Sequence, residues 1–180
     1  MKLHIGCGVR NFGKHWIHID GAKDAHNHIE YKDITKLHFE DNSVDIIYAS
    51  HVIEYFDRSE VLDLLFEWRR VLKVGGILRL AVPDFEAMSK LYVEGKFQLS
   101  SFLGPLYGIM KLGDKMIYHK TVYDFYSLQS VLLISRFRNI DRYDWRKTEH
   151  SQEDDCSQAY LPIMEKDNGT LISLNVECIK

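Results

Sequence analysis

The order of apolar segments predicts a doubly wound α/β fold, and three observations carry that reading. Short strand-like blocks recur at residues 2–5, 16–19, 29–32, 44–49 and 77–82. A segment of helical period, residues 58–71, stands between the fourth and fifth of them. A glycine-bearing turn, Gly6-Cys7-Gly8, follows the first block directly.

Each block is short, apolar and bounded by turn residues, as strands of a largely parallel sheet require. In residues 58–71, Val61, Leu64, Leu65, Trp68 and Val71 recur at three- and four-residue intervals with charged residues between them, so this helix buries one side against the sheet. Lys73-Val74-Gly75-Gly76 stops it, because glycine takes the left-handed turn that other residues resist. The block 77–82 then resumes as a strand, Pro83-Asp84 ends it, and 85–93 forms a second helix with Asp84 as its cap. From 97 to about 121 the periodicity fades among Phe, Leu, Tyr, Met and glycine, which predicts an irregular, lid-like insertion. Residues 122–135 read as a helix, 139–143 as a strand, 149–155 as a polar loop and 170–179 as a last strand after the turn Asp167-Asn168-Gly169.

The 180 residues, 46% of them hydrophobic, suit a single domain. A formal charge of −3 gives no overall positive field, so strong nucleic-acid binding is not expected. The arginines 136, 138, 142 and 146 with Lys147 are diluted by Asp141, Asp144 and Glu149. Three scattered cysteines, no leader pattern and no long apolar run predict a cytoplasmic protein without a transmembrane segment. Homo-oligomerisation is left open. His26 and His28 lack a third ligand at metal-site spacing, and Cys7, Cys156 and Cys178 form no pair, so no metal is expected.

Chemistry concentrates at the strand ends. Gly6 and Gly8 let backbone approach a nucleotide closely, and Asp20, at the tip of the second strand, can accept from both ribose hydroxyls. Asp33 offers an acceptor to an adenine amino group while Ile34 packs on the ring. Ser50 and His51 end the fourth strand and line the same crevice.

The ordered set Ile5-Gly6-Cys7-Gly8, Asp20, Asp33-Ile34, Ser50-His51-Val52-Ile53-Glu54-Tyr55 and Leu72-Lys73-Val74-Gly75-Gly76 resembles class I S-adenosylmethionine (SAM)-dependent methyltransferases. That resemblance implies a Rossmann-like, mostly parallel seven-stranded sheet with an antiparallel C-terminal strand and helices on both faces. It implies SAM as cofactor and S-adenosylhomocysteine as product. The glycine loop, Gly6, Cys7 and Gly8, would lie against the methionine part, Asp20 at the ribose and Asp33 near adenine. His119-Lys120, Asp155-Cys156-Ser157 and Ser173-Leu174-Asn175-Val176-Glu177 are similar to a subgroup linked with surface-polysaccharide synthesis, which implies a small-molecule or glycan acceptor.

Two features depart from the family pattern. Gly13-Lys14-His15 leaves no room for a helix between the glycine loop and the second strand, and no helix precedes the first, which predicts a more open cofactor pocket. For a hydroxyl acceptor, His51 and His119 are the candidate bases, since imidazole titrates near neutrality. A non-catalytic SAM-binding or scaffold module is the first alternative. An NAD-dependent oxidoreductase, suggested by Tyr92-x-x-x-Lys96 and the glycine loop, is the second.

Overall fold

The computed structural model describes residues 1–21, 29–30 and 33–180. The expected strand positions 31–32 and the pair His26 and His28 lie outside the described residues. Seven strands make one sheet: β1 (Lys2–Ile5), β2 (Trp16–Asp20), β3 (Ile29–Glu30), β4 (Val44–Ser50), β5 (Leu72–Pro83), β6 (Arg138–Arg142) and β7 (Ser173–Ile179). Their order is β3-β2-β1-β4-β5-β7-β6. The first five pair in parallel, and β7 runs antiparallel to both β5 and β6. The direction of winding reverses between β1 and β4, which opens a crevice at the carboxyl ends of those strands.

Register divides the sheet into two chemically distinct faces. Leu3 and Ile5 align with Ile47 and Ala49, these with Leu78 and Leu80, and Leu80 with Val176. This apolar row forms the main core with Val61, Leu64, Leu65, Trp68 and Val71 of α1 (Glu60–Val71) and with Leu128 and Leu132 of the helix 125–134. The alternate row runs His18, His4, Tyr48, Arg79, Glu177. The family resemblance implies helices on both faces, but this polar row is met by Phe12 and the segment 143–160. Phe12 stacks between His4 at 3.9 Å and His150 at 4.4 Å, and its N–H donates to His18 Nε2 at 2.9 Å. An aromatic side chain thus fills space beside β1 and β2, where a connecting helix has no room. The Tyr48 hydroxyl donates to Asp155 Oδ2 at 2.5 Å, and Arg79 pairs with Glu149 and Glu177, both at 3.1 Å.

Local chemistry sets the element ends. The Asp57 carboxylate accepts from the N–H groups of Ser59 and Glu60, and Glu60 Oε2 accepts from the Asp57 N–H. This reciprocal capping starts α1 at Glu60, two residues later than periodicity alone predicts. Asp84 caps α2 (Phe85–Val93) by accepting from the Ala87 N–H at 3.1 Å. Residues 73–76 are counted within β5, but its register with β4 jumps from Val44↔Leu72 to Ile46↔Ile77, so they bulge outward.

Residues 97–121 are folded, which corrects the expectation of an irregular stretch. A 3-10 turn (Leu99–Ser101), α3 (Leu103–Tyr107) and a hairpin of Met110–Leu112 with Lys115–Ile117 occupy them. Each piece is shorter than the window over which a period becomes visible. α4 (Phe125–Ile134) begins at a capping box in which Asp124 and Ser127 satisfy each other's N–H groups. The expected strand 170–179 is broken at Ile172, whose side chain packs with Met88, Leu91, Phe102 and Leu161 in a second cluster. Thr170–Leu171 pairs instead with Tyr160–Leu161.

Candidate functional site

The glycine loop, Asp20 and the end of β4 converge at the switch point. The N–H groups of Gly6 and Cys7 donate to Ile19 O at 2.8 and 3.3 Å, tying the loop to β2. The Gly8 N–H donates to Asp20 Oδ2 at 2.7 Å, and Asp20 is only 8% exposed. Gly6 has φ +71°, and a Cβ there would lie 2.3 Å from Val52 Cγ2. Glycine is therefore required where the loop meets the segment leaving β4.

These bonds determine what the loop can offer a ligand. The three N–H groups at its centre are spent inside the protein, and of its carbonyl oxygens that of Cys7 accepts from the Arg10 N–H at 3.0 Å and that of Gly8 from the Cys7 thiol at 3.6 Å. The described residues hold no helix between β1 and β2 whose N-terminus could face a phosphate. A pyrophosphate needs such donors, whereas a cationic amino group needs acceptors. The Gly6–Gly8 turn therefore offers a pyrophosphate no free N–H group. The Cys7 side chain is fully buried, and burial, then the Asp20 charge, push its thiol up to about 12.

Asp33 and Ile34 lie farther along. The exposed Asp33 carboxylate accepts from the Thr35 N–H and hydroxyl, and these bonds hold its pKa below the usual range. Ile34 packs against the main core, and its carbonyl accepts from Trp68 Nε1 at 3.0 Å.

A buried polar cluster sits beyond β4. Ser50 Oγ is buried without a hydrogen-bond partner. His51 takes left-handed backbone, φ +54°, and its N–H donates to Ala81 O at 2.8 Å, locking it to β5. Such backbone in a non-glycine residue costs energy that the surroundings must offset. His51 Nδ1 lies 3.3 Å from Glu54 Oε1, and Nε2 is buried and unpartnered. Burial, then His119 and Arg10, lower its pKa to about 3, so the ring is neutral. The His119 ring comes from the 97–121 segment: Nδ1 lies 2.9 Å from Pro105 O and so carries the proton it donates. Nε2, left as an acceptor, is 3.8 Å from Glu54 Oε1.

Glu54 joins the two histidines, and sequence reasoning gave it no role. It is fully buried, and burial raises its pKa to about 8, so it is mostly protonated at neutrality. The signal was an acid inside the apolar and aromatic run Val52-Ile53-Glu54-Tyr55-Phe56. The Tyr123 hydroxyl is likewise buried and unpartnered, and the Glu54 charge is a secondary cause of its raised pKa.

Other candidates are assigned elsewhere. Asp84 is spent capping α2 and on Arg142, 3.2 Å away. Cavities of about 390 and 440 Å³ flank α2, away from the switch point. Within the first, Glu86 pairs with Lys90 and Asp84 with Arg142, leaving little charge for a ligand. Lys96 lies beyond the end of α2 and pairs with Glu94, so it makes no catalytic pair with the exposed Tyr92. Among the described residues no cluster of His, Cys, Asp or Glu could hold a metal ion, and no helix is long and apolar enough to cross a membrane.

Residues 3–80 match the family model described as a methyltransferase domain. No curated protein matches the chain. Solved structures share its fold. A SAM-dependent methyltransferase from Archaeoglobus fulgidus is 14% identical, with 99% of this chain and 85% of that one covered and a TM-score of 0.58. One from Mesorhizobium loti is 16% identical, with coverages of 99% and 90% and a TM-score of 0.57. One from Methanosarcina mazei is 18% identical, with coverages of 99% and 89% and a TM-score of 0.51. The sheet order and these solved structures show that the chain has the Rossmann-like fold that SAM-dependent methyltransferases share, and residues 3–80 of it match the methyltransferase-domain model.

Proposed function

We propose that the protein transfers a methyl group from SAM to a hydroxyl of a small-molecule or glycan acceptor in the cytoplasm. The observation that carries this reading is the pairing of the glycine loop, bonded to Asp20, with the buried cluster Ser50, His51, Glu54 and His119 at one sheet edge. Asp20 would hold the ribose hydroxyls, the glycine loop would lie against the methionine part, and Asp33 and Ile34 would meet the adenine. Bound SAM supplies an electrophilic methyl group on a sulfonium.

The chain positions the acceptor and removes its proton. Residues 97–121 act as a lid that excludes water from the approach to His51, and orientation alone supplies much of the rate in a direct displacement. His51 and Glu54 work as a unit whose shared proton is lost near pH 8. In the form lacking that proton, His51 Nε2 takes the hydroxyl proton, and the imidazolium formed is paired with the Glu54 carboxylate 3.3 Å away. Methyl transfer therefore rises with pH towards about 8. His119, fastened to Pro105, borders the acceptor and is the second candidate base.

A pure scaffold has no use for a cluster of buried polar atoms without partners, each of which costs stability. Calorimetry with SAM tests the cofactor site: Asp20→Ala should lose most of the heat, and unchanged binding would remove the ribose assignment. Mass spectrometry of glycan precursors incubated with labelled SAM tests turnover. Binding without any transfer, with His51→Ala binding SAM as wild type does, would leave the scaffold reading in its place.

A further inference from the structure

The lid carries a surface that the transfer reaction does not use. In its hairpin, Lys111 stands opposite Met116, and Met110 opposite Ile117. Side chains alternate across a ribbon, so Lys111 and Met116 share one face, which Ile109 and Tyr118 extend at the open end. Every residue of that face is open to solvent: Ile109 is 64% exposed, Met116 49% and Tyr118 51%, and Lys111 is exposed too. On the other face Leu112 and Ile117 are half-buried while Met110 and Lys115 are exposed, and the His119 ring beyond it turns to Glu54.

Charge singles out the same segment. Residues 96–120 hold four lysines against one aspartate, in a chain whose formal charge is −3. Lys96 and Lys120 are engaged by Glu94 and Glu60, but Lys111 on the exposed face, and Lys115 beside the turn on the other side of the ribbon, have no ion pair or hydrogen bond among the described residues. Exposed Ile and Met beside Tyr and unpaired lysines match an interfacial layer, where apolar side chains enter the acyl boundary, tyrosine sits at headgroup level and lysines meet phosphates. A second copy of the chain fits less well, because a two-fold contact would bring the unpaired lysines of both copies together.

We infer that the outer face of the 110–117 hairpin docks on an anionic lipid bilayer. The His119 N–H donates to Tyr107 O at 2.8 Å, so the docking face and the site are anchored through one short segment. A bilayer there would bring the lid and the acceptor entrance to the membrane surface. This inference stands on the hairpin alone and does not need the acceptor assignment.

Co-sedimentation of the full chain with vesicles of phosphatidylcholine mixed with phosphatidylglycerol, and of phosphatidylcholine alone, tests it. Wild type should sediment with the mixed vesicles and be released by salt. Each neutralised lysine should weaken partition about fivefold, so Lys111→Gln with Lys115→Gln should lose about 25-fold. Ile109→Ser with Met116→Ser should also detach the protein. Unchanged SAM heats in both pairs of variants show an intact fold and keep this test separate from that of the cofactor site. No binding to mixed vesicles, or equal binding by the variants, would overturn the inference. So would a wild-type dimer that Ile109→Ser with Met116→Ser splits while vesicles are ignored, since that outcome assigns the face to a second copy.

Discussion

Replacing Glu54 by glutamine should remove the alkaline limb of the protein's stability curve. Burial raises the Glu54 carboxyl from an ordinary 4.5 to about 8, so the folded state keeps a proton that the unfolded chain has already released. Between those two values the folded state binds more protons, and stability falls as pH rises. His51 acts in the opposite sense: its folded value is lowered to about 3, so its contribution is lost as pH falls below 6.5. From pH 4.5 to 6.5 the two slopes oppose each other, and above 6.5 only that of Glu54 remains. One proton changes stability by about 1.4 kcal/mol per pH unit, so the wild type should lose roughly 2 kcal/mol between pH 6.5 and 8 through Glu54. Glutamine keeps the shape and cannot titrate, so Glu54→Gln should be flat over that window. Urea unfolding of both proteins at half-unit steps of pH measures the difference, in which groups common to both cancel. A gap that stays constant from pH 6.5 to 8 would refute the claim that Glu54 is protonated in the fold.

Gly6→Ala should lower both the melting temperature and SAM affinity. The added Cβ would lie 2.3 Å from Val52 Cγ2, and left-handed backbone costs a further ~1–2 kcal/mol outside glycine. Adding Val52→Ala removes the clash and should recover part of the loss; a Gly6→Ala protein that melts as wild type does would contradict the contact. Tyr48→Phe deletes the hydroxyl bonded to Asp155 and should cost about 1.5–3 kcal/mol. Hydrogen exchange at the Ser157 N–H, which donates to Asp155 at 2.8 Å, should quicken, and unchanged protection would show that the 143–160 segment is held by other contacts.

The parts read most directly from sequence were those in which neighbouring residues act together. The strand blocks, the helix over Val61, Leu64, Leu65 and Trp68, the cap at Asp84 and the glycine turn after β1 each rest on periodicity or on backbone chemistry over a few positions. The placing of Asp20 beside Gly8 also followed, because parallel strands joined by short connections bring their carboxyl ends to one edge. Tertiary structure alone decided the rest, since it depends on residues distant in the chain. Phe12 fills the space beside β1 and β2 only because His4 and His150 present rings to either side. Ile172 breaks the last strand because a second cluster claims its side chain. Glu54 becomes a weak acid because the end of β4 and the segment carrying His119 close over it and remove water, and a pKa is set by surroundings that no local pattern records.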